Sequence, residues 1–472
     1  METRQLFGRT VITNDEVEIT DSNVIDILDK AMAAHTKNRS EIQYLWDYYC
    51  GKQPILGRKK KVRPEICNRI IENRANEIVS FKVGYLCGEP IQYIGRNGSD
   101  AVSKAISELN EMMFSENKAS QDKRIAEWRA ICGTAYRLVL PDIRKGEDDA
   151  PFELYTLDPR DTFVVYSNEV SGRPIMGVKY CVTDDNDTIC SVYSDRGYWK
   201  VKNGKVVGSE SNKLGMIPII EYPANSARLG AFEIVLPLLD AINTVSSNRI
   251  DGIEQFIQAF VKFINCDITK EQYLEFLEMG AIKVKSADGL VADVDIVSNE
   301  LNQMQTQTLV DYLYQTVLTI CGMPSMSNGS TSDSSNNGAV ILKNGWQGAE
   351  TRAKDSELMF KEAEQKVLKV VLCIIRNTRG LSNEMYALRL KDISLQFTRR
   401  NYENIQSKSQ VLVSMLQQNK IHPRLAFENC GLFIDPERAY SVSKEYSEEQ
   451  EKKAIEMMQS AGNDGNDEGE VE

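Results

Sequence analysis

Histidine is scarce in this sequence, and the short motifs that mark common active sites are missing. His35 and His422 are the two histidines among 472 residues, which leaves little material for a serine–histidine–aspartate triad or a histidine-rich metal centre. His422 precedes Pro423, where we expect a structural role in a turn. No GxxxxGK(S/T), GxGxxG, HExxH or EF-hand pattern occurs. We therefore predict a protein that is not an enzyme and that binds no metal or cofactor.

Basic residues are outnumbered as well. The sequence has 56 Lys+Arg against 68 Asp+Glu, a net charge of −12, and a pI of about 5.1. This balance excludes an extended basic surface that wraps nucleic acid, although a few local cations or shape recognition could still contact DNA. Apolar residues make up 42% and charged residues 26%, which is typical of a soluble globular protein. The length predicts about three domains.

Cysteine motifs and long apolar runs are also absent. None of the ten cysteines forms a CxxC pair, so we expect free thiols in a reducing cytosol rather than a disulfide framework. No run approaches the about 18 apolar residues of a membrane-spanning helix. The first residues, METRQLFGRT, lack the apolar core of a secretory signal.

Periodicity divides the chain into helical and strand-rich regions. Residues 20–50 read as two helices, the second capped by Ser40, and residues 67–95 as a helix, a glycine-rich turn and a short strand. Residues 101–133 hold two more helices. From 135 to 223 the period changes to two, with a hairpin turn at Asn203-Gly204. An antiparallel β region is therefore predicted among helices.

The second half is dominated by long helical patterns. Residues 231–264 carry apolar residues at helical spacing, with a kink or break near Pro237, and residues 303–321 are helical again. Between them, 265–302 reads as a compact insert of a helix and two strands. Residues 325–338 are rich in Ser and Asn, which indicates either a flexible linker or a functional mobile loop.

A helix is predicted over 346–377, with Lys354 and Lys361 pairing with acids one turn away. A strand follows at 392–400, and the chain is helical after 401, with a helix start at Asp435-Pro436. The last twelve residues contain five acids and no base, which predicts a solvated tail.

Two charged runs have more than one interpretation. The five bases Arg58, Lys59, Lys60, Lys61 and Arg63 indicate either a solvated loop, which is favoured, or a phosphate or partner contact. Residues 184–188, DDNDT, could ligate a cation, but a solvated hairpin turn is the favoured interpretation.

The order of these parts resembles the portal proteins of long-tailed, siphovirus-type bacteriophages over about residues 40–450. The likeness rests on the turn with Gly84, Tyr85, Gly88 and Pro90, on Asp158-Pro159 before a strand, and on three longer segments. These are the helix from AFEIVLPLL, the SSNNGAVILKNGW region, and ISLQFTRRNYENIQ.

This resemblance implies an α+β fold, predominantly helical, that assembles as a ring with wing, stem, clip and crown. It divides the chain into the following parts: 1–40 an N-terminal arm, 41–230 the wing, 231–264 the first stem helix, 265–302 the clip, 303–324 the second stem helix, 325–345 the tunnel loop, 346–400 the tunnel helix and a wing strand, 401–460 the crown, and 461–472 a disordered acidic tail.

It further implies a dodecamer at one capsid vertex through which double-stranded DNA is packaged and ejected. The implied partners are other copies of the chain, DNA, the large terminase subunit, major capsid and scaffolding proteins, and a head-tail adaptor, with no membrane; assembly takes place in the bacterial cytoplasm, and the final location is the virion. The residues expected to face DNA are Asn328, Ser330, Ser332, Ser334, Asn336, Asn337 and Lys343, and those expected on the clip docking surface are Lys283, Lys285 and Asp288.

Two other functions fit parts of the sequence. A structural scaffold or adaptor without a DNA channel would keep the helices and leave the Ser/Asn-rich segment as a linker. A hydrolase would need converging carboxylates and a metal. A portal is the function that the resemblance favours.

Overall fold

A computed structural model describes twelve stretches of the chain. These are residues 4–61, 63–96, 99–142, 150–257, 260–264, 269–271, 293–297, 303–324, 345–398, 405–418, 420–433 and 436–463.

Helices and strands occur mainly in separate runs along these stretches, as in the predicted α+β fold. The α-helices are α1 (Val24–Tyr49), α2 (Arg74–Cys87), α3 (Asp100–Ser115), α4 (Lys118–Cys132), α5 (Leu236–Ile257), α6 (Gln303–Cys321), α7 (Trp346–Asn377), α8 (Asn383–Ala387), α9 (Ile405–Leu416), α10 (Pro423–Asn429) and α11 (Pro436–Asn463). The strands are β1 (Ile12–Asn14), β2 (Gln92–Gly95), β3 (Thr134–Pro141), β4 (Phe152–Leu157), β5 (Thr162–Ser167), β6 (Pro174–Val182), β7 (Thr188–Tyr193), β8 (Gly197–Lys202), β9 (Lys205–Ser211), β10 (Ile219–Pro223), β11 (Phe260–Ile264), β12 (Asp293–Val297) and β13 (Ile393–Gln396).

The chain folds into two compact units, and the backbone passes from one to the other five times. The smaller unit consists of Met1–Leu6, Leu45–Ile78 and Phe232–Ser325, and the larger unit of Phe7–Tyr44, Val79–Ala231 and Met326–Glu472.

A six-stranded sheet forms one layer of the larger unit. Its strand order is β1-β5-β6-β7-β8-β9, with β1 parallel to β5 and every other pair antiparallel. The first turns of α1 cover one face of this sheet, where apolar side chains from both elements are buried together. They include Val24, Ile27, Leu28 and Ala31 of α1 and Phe163, Val178, Val192 and Trp199 of the sheet.

The turns of this sheet have the expected chemistry. Asn203 and Gly204 both have positive φ, 48° and 73°, as the predicted hairpin turn between β8 and β9 requires. Residues 184–188 form the β6–β7 turn, with Asn186 in the left-handed region and Asp187 paired to Lys202 at 2.7 Å. The favoured interpretation of this acidic run as a turn is confirmed.

A second sheet in the larger unit supports its longest helix. The strand order is β10-β3-β4, and α4 and α7 both contact it. A separate ribbon pairs β13 with β2. The predicted helix over 346–377 is confirmed as α7 at the same bounds.

The smaller unit is built on α5 and α6, which contact each other. Tyr48 stacks on Phe232 with ring centroids 5.9 Å apart, and its hydroxyl donates to Asp240 at 2.9 Å. The strands β11 and β12 pair antiparallel, with Phe260 opposite Val297 and Ile264 opposite Asp293. This ribbon therefore follows α5 and precedes α6 along the chain.

Three predicted helix boundaries are wrong. Residues 24–49 form one helix rather than two, and Ser40 lies inside it. The helix expected from residue 67 begins at Arg74. The long helix expected over 231–264 covers 236–257, after a short 3-10 turn, and 260–264 is strand β11. Short apolar runs such as FVKFI fit both periods, and their Phe, Val and Ile residues favour strands.

Among the described residues, no helix combines the length and the apolar character that a membrane span needs. All nine cysteines in the described part of the chain are free thiols.

Candidate functional site

All the site residues named from the sequence lie outside the described residues. This holds for Asn328, Ser330, Ser332, Ser334, Asn336, Asn337 and Lys343, and equally for Lys283, Lys285 and Asp288. The structure does describe the elements on both sides of the Ser/Asn-rich segment. Helix α6 leads to it and ends at Cys321, and α7 begins directly after it at Trp346.

The first turn of α7 is held by aromatic packing instead of a capping side chain. Gly345 precedes the helix with φ of 77° and supplies no side-chain cap. Trp346 packs on Phe81 and Tyr85 of α2, with ring centroids 6.1 and 6.0 Å away. The Tyr85 hydroxyl donates to Glu350 at 2.8 Å. The end of the Ser/Asn-rich segment is thus attached to the larger unit at a defined point.

Further along α7, a carboxylate lies at the centre of a buried ionic cluster. Glu364 is fully buried and accepts from the hydroxyls of Tyr93 and Tyr222, at 2.6 and 2.5 Å. It also pairs with Lys118 at 3.1 Å and with Arg137 at 3.2 Å. Four groups from α4, β2, β3 and β10 therefore converge on one position of α7.

A second carboxylate balances the charge of this cluster. Asp122 of α4 is also buried and pairs with both Lys118 and Arg137 at 2.5 Å. The two anions and two cations sum to zero. A buried ion pair resists disruption strongly, because removing one partner leaves the other charge unpaired in a low-dielectric interior.

The pKa values of the cluster follow from this arrangement. Burial by itself would raise the pKa of Glu364, but Lys118 and Arg137 together with the two tyrosine hydroxyls hold it well below its usual range. Burial and the neighbouring carboxylates raise the pKa of Tyr93 and Tyr222. At neutral pH, Glu364 is therefore ionised and both tyrosines are protonated donors.

A third buried cation contacts α7 about two turns earlier. Arg129 donates to the carbonyl oxygens of Pro223 and Ser356, at 3.2 and 3.3 Å, and lies 5.2 Å from the ring centre of Phe360. Burial lowers its pKa to about 10. Together Arg129 and the ionic cluster fix α7 at two points along its axis.

The outer face of α7 carries ion pairs of the predicted kind. Lys354 pairs with Glu350 at 3.6 Å, and Lys361 with Glu357 at 3.3 Å. The prediction that these lysines pair with acids one turn away is confirmed. Glu357 is itself buried, at 8% exposure.

In the smaller unit, α5 binds an extended segment through a ladder of side chains. Asn243 accepts the backbone N–H of Glu72, Ser247 that of Ile70, and Asp251 that of Asn68, at 2.9, 2.9 and 2.7 Å. Side chains four residues apart on a helix are separated by about 6 Å, and alternate residues of an extended chain by about 6.6 Å. The two repeats match, so residues 68–72 lie along α5 without forming a helix.

Helix α6 exposes several apolar side chains in addition to those it buries. Val310, Val317 and Leu318 are buried, whereas Leu309 and Tyr312 are 45% and 66% exposed. Met304 and Ile320 are also exposed. These apolar side chains share the exposed surface of α6 with Thr308, Gln315 and Thr319, so that surface is mixed in character.

Sequence reasoning missed the ionic cluster, although a signal for Glu364 exists. Glu364 lies four residues after Phe360 and four before Leu368, both buried, so the helical period places an acid among core positions. Its partners come from positions 93, 118, 137 and 222, and nothing in the local sequence links them. Within the described chain, no group of three or more His, Cys, Asp or Glu side chains is arranged to hold a metal ion.

Comparison with known proteins provides a family. The family model described as "Phage portal protein, SPP1 Gp6-like" matches residues 28–460. No curated protein sequence matches the chain. It is similar to a chain in the neck of an empty gene transfer agent particle, with 12% identity and a TM-score of 0.43 over 76% of this chain and 90% of that chain. A chain from the virion of a native gene transfer agent particle matches at 12% identity and a TM-score of 0.45, over 83% of this chain and 94% of that one.

The family match spans more than nine-tenths of the sequence, including the helices on both sides of the Ser/Asn-rich segment. The family consists of structural virion proteins without catalytic activity. The chain belongs to the SPP1 Gp6-like family of phage portal proteins.

Proposed function

We propose that this chain forms a closed ring of twelve copies at one vertex of the capsid and that double-stranded DNA passes along the ring axis. In this proposal the ring also binds the large terminase subunit during packaging, the major capsid and scaffolding proteins during assembly, and a head-tail adaptor afterwards. The observation that carries the proposal is the exposure of Leu309, Tyr312 and Ile320 on α6, because neighbouring copies in a ring would cover these apolar side chains.

The proposed parts follow the chain in order. Residues 1–40, which include β1 and most of α1 and pack on the six-stranded sheet, form the N-terminal arm, and 41–230 form the wing. Helix α5, now bounded at 236–257, and residues 303–324 form the stem, with the clip between them. Residues 325–345 form the DNA-facing loop, 346–400 the supporting helix and a wing strand, 401–460 the crown, and 461–472 a solvated tail.

The charge of the chain supports sliding of DNA instead of tight binding. Each phosphate that a protein neutralises adds affinity through counterion release, and such contacts would slow translocation. Hydroxyl and amide groups donate to phosphates weakly and carry no sequence information. Asn328, Ser330, Ser332, Ser334, Asn336 and Asn337 supply such groups, and Lys343 is the one proposed cation among them. Lys283, Lys285 and Asp288 are proposed to bind protein partners.

The first test is negative-stain electron microscopy of the purified chain. We expect rings with a central hole of at least about 20 Å, wide enough for B-form DNA. Class averages give the number of copies. Monomers or open filaments would contradict the proposal and favour a scaffold without a channel.

The second test separates the conduit from ring assembly. Deletion of 326–337 should leave the rings intact and abolish DNA packaging in a complementation assay. A matched control deletes the same number of residues from the acidic tail, 461–472, and should package normally. If the loop deletion also packages normally, the segment is a linker.

A further inference from the structure

The stretch from Arg58 to Arg69 is strongly basic in an acidic protein. Its twelve residues contain six Lys or Arg and one Glu, a net charge of +5, whereas the whole chain carries −12. An acidic protein does not need such a run for solubility, because its net charge is already far from zero. The geometry of the stretch indicates what it does.

Asp251 of α5 anchors this stretch. The carboxylate is buried, with 4% of the side chain exposed, and it pairs with Arg58 at 2.9 Å and Lys60 at 3.1 Å. It also accepts from the backbone and side-chain N–H groups of Asn68, at 2.7 and 3.0 Å. Four donors on one buried carboxylate hold the basic stretch in a fixed position on α5.

The bonds to Asp251 divide the first four basic side chains of the stretch into two that are anchored and two that are exposed. Arg58 and Lys60 point to Asp251, and the intervening Lys59 and the following Lys61 are exposed. No ion pair joins Lys59 or Lys61 to an acid anywhere in the described part of the chain. Lys59 and Lys61 are therefore two exposed cations on either side of the anchored Lys60.

A complementary acidic stretch lies near the N-terminus. Residues 15–29 contain six Asp or Glu and no Lys or Arg, and all six acids are exposed. Asp26 and Asp29 lie on the first turns of α1, on the side opposite the buried Ile27 and Leu28. This acidic stretch largely precedes the region that matches the family model.

We propose that Lys59 and Lys61 of one copy contact the acidic stretch 15–29 of the adjacent copy. The inference rests on the proposed ring. Two unlike, complementary surfaces on one chain form a head-to-tail contact, which closes into a ring when the rotation allows. Copies that each carry −12 repel one another, and opposed patches of opposite sign offset this repulsion and set the register of the contact. Duplex DNA is a poorer occupant, because a row of cations repeated around the ring would slow its passage.

The test is a charge swap read out by assembly. Lys59→Glu with Lys61→Glu, and separately Asp26→Lys with Asp29→Lys, should raise the protein concentration for half-maximal ring formation about tenfold in 50 mM salt. The variant that combines all four substitutions should assemble at the wild-type concentration. At 0.5 M salt, where the screening length is about 4 Å, the differences should shrink to less than about twofold. Native mass spectrometry and negative-stain images measure the ring fraction.

The control variant makes the same charge change elsewhere. Lys123→Glu with Arg124→Glu alters two exposed bases of α4 and should assemble like the wild type at both salt concentrations. Rescue by the combined variant also excludes misfolding as the reason why each double variant assembles poorly.

Three results would overturn the inference. If charge reversal at Lys59 and Lys61 leaves assembly unchanged, these lysines do not make the proposed contact. Weaker assembly without rescue shows that the acidic stretch is not the partner. Unchanged assembly with a weaker affinity for a 30-base-pair duplex, measured by fluorescence anisotropy, assigns the two lysines to DNA. If the wild type itself forms no rings, the proposed function fails as well, which is distinct from failure of the charge swap alone.

Discussion

The two units fix their helices by different chemistry. In the larger unit, α7 is held by a fully buried, charge-balanced cluster around Glu364. In the smaller unit, α5 holds an extended segment through one backbone N–H for each of Asn243, Ser247 and Asp251. The first arrangement depends on every member, because each removed charge leaves another unpaired. The second is a series of separate hydrogen bonds, so we expect each substitution in it to lower stability by the contribution of one bond.

The largest effect should come from breaking the cluster. Glu364→Ala leaves Lys118 and Arg137 with one buried carboxylate between them and should lower the free energy of unfolding by about 3–5 kcal/mol. Urea denaturation of the purified protein measures this. Glu362→Ala, which removes an exposed pair with Lys366 on the same helix, is the control and should cost less than about 0.5 kcal/mol. Similar losses for the two variants would show that the cluster is not the anchor of α7.

The second-largest loss of stability should come from substituting Asp251, the last residue of the ladder on α5. Asp251→Ala removes the acceptor of Arg58, Lys60 and Asn68 and should cost about 1.5–3 kcal/mol, the range for hydrogen bonds to a charged group. We also expect faster hydrogen exchange at the amide of Asn68 with little change around Glu364. Exchange that rises equally in both regions would contradict the independence of the two arrangements.

The contributions of His35 and of the Glu364 cluster to stability should be lost in different pH ranges. Burial, the largest effect, lowers the pKa of His35 to about 4 from 6.5. Between these values the unfolded chain binds more protons than the folded one, so stability falls as the pH falls, by about 1.4 kcal/mol at pH 5.5. The Glu364 carboxylate, with its lowered pKa, loses its contribution only in stronger acid. His35→Phe should flatten the stability curve between pH 6.5 and 4.5, and an unchanged slope would assign it to other groups.

The smallest effect should come from the middle of the ladder. Ser247→Ala leaves the N–H of Ile70 without its acceptor and should cost about 1 kcal/mol. Thr244→Ala on the same helix removes an exposed hydroxyl bonded within the helix and serves as the control. A loss as large as that of Asp251→Ala would mean that the ladder breaks as a whole.

Local patterns predicted the elements that depend on neighbouring residues. The hairpin turn at Asn203-Gly204, the bounds of α7 and the pairs of Lys354 and Lys361 were all available from spacing. The favoured turn at 184–188 and the structural role expected of His422 belong to the same class; the structure shows that His422 caps a helix by accepting from the N–H of Arg424. These features are fixed by interactions within a few residues.

The errors arise where distant residues decide. Residues 67–73 stay extended because side chains about 180 positions later accept their N–H groups. Residues 260–264 become a strand because β12 pairs with them. The cluster around Glu364 could not be predicted because its four partners are dispersed from position 93 to position 222. The residues predicted to face DNA or the docking partners remain predictions, since they lie outside the described residues.

The five passages of the backbone between the two units bear on how such a gene can change. Each unit is assembled from three separate segments of the chain. Any single point of genetic exchange therefore divides at least one unit and joins halves with different histories. An exchange between positions 137 and 364 would place Glu364 from one parent beside Arg137 from another. Recombinants should survive where both parents share such paired residues, so the gene for this protein is expected to be inherited as a block.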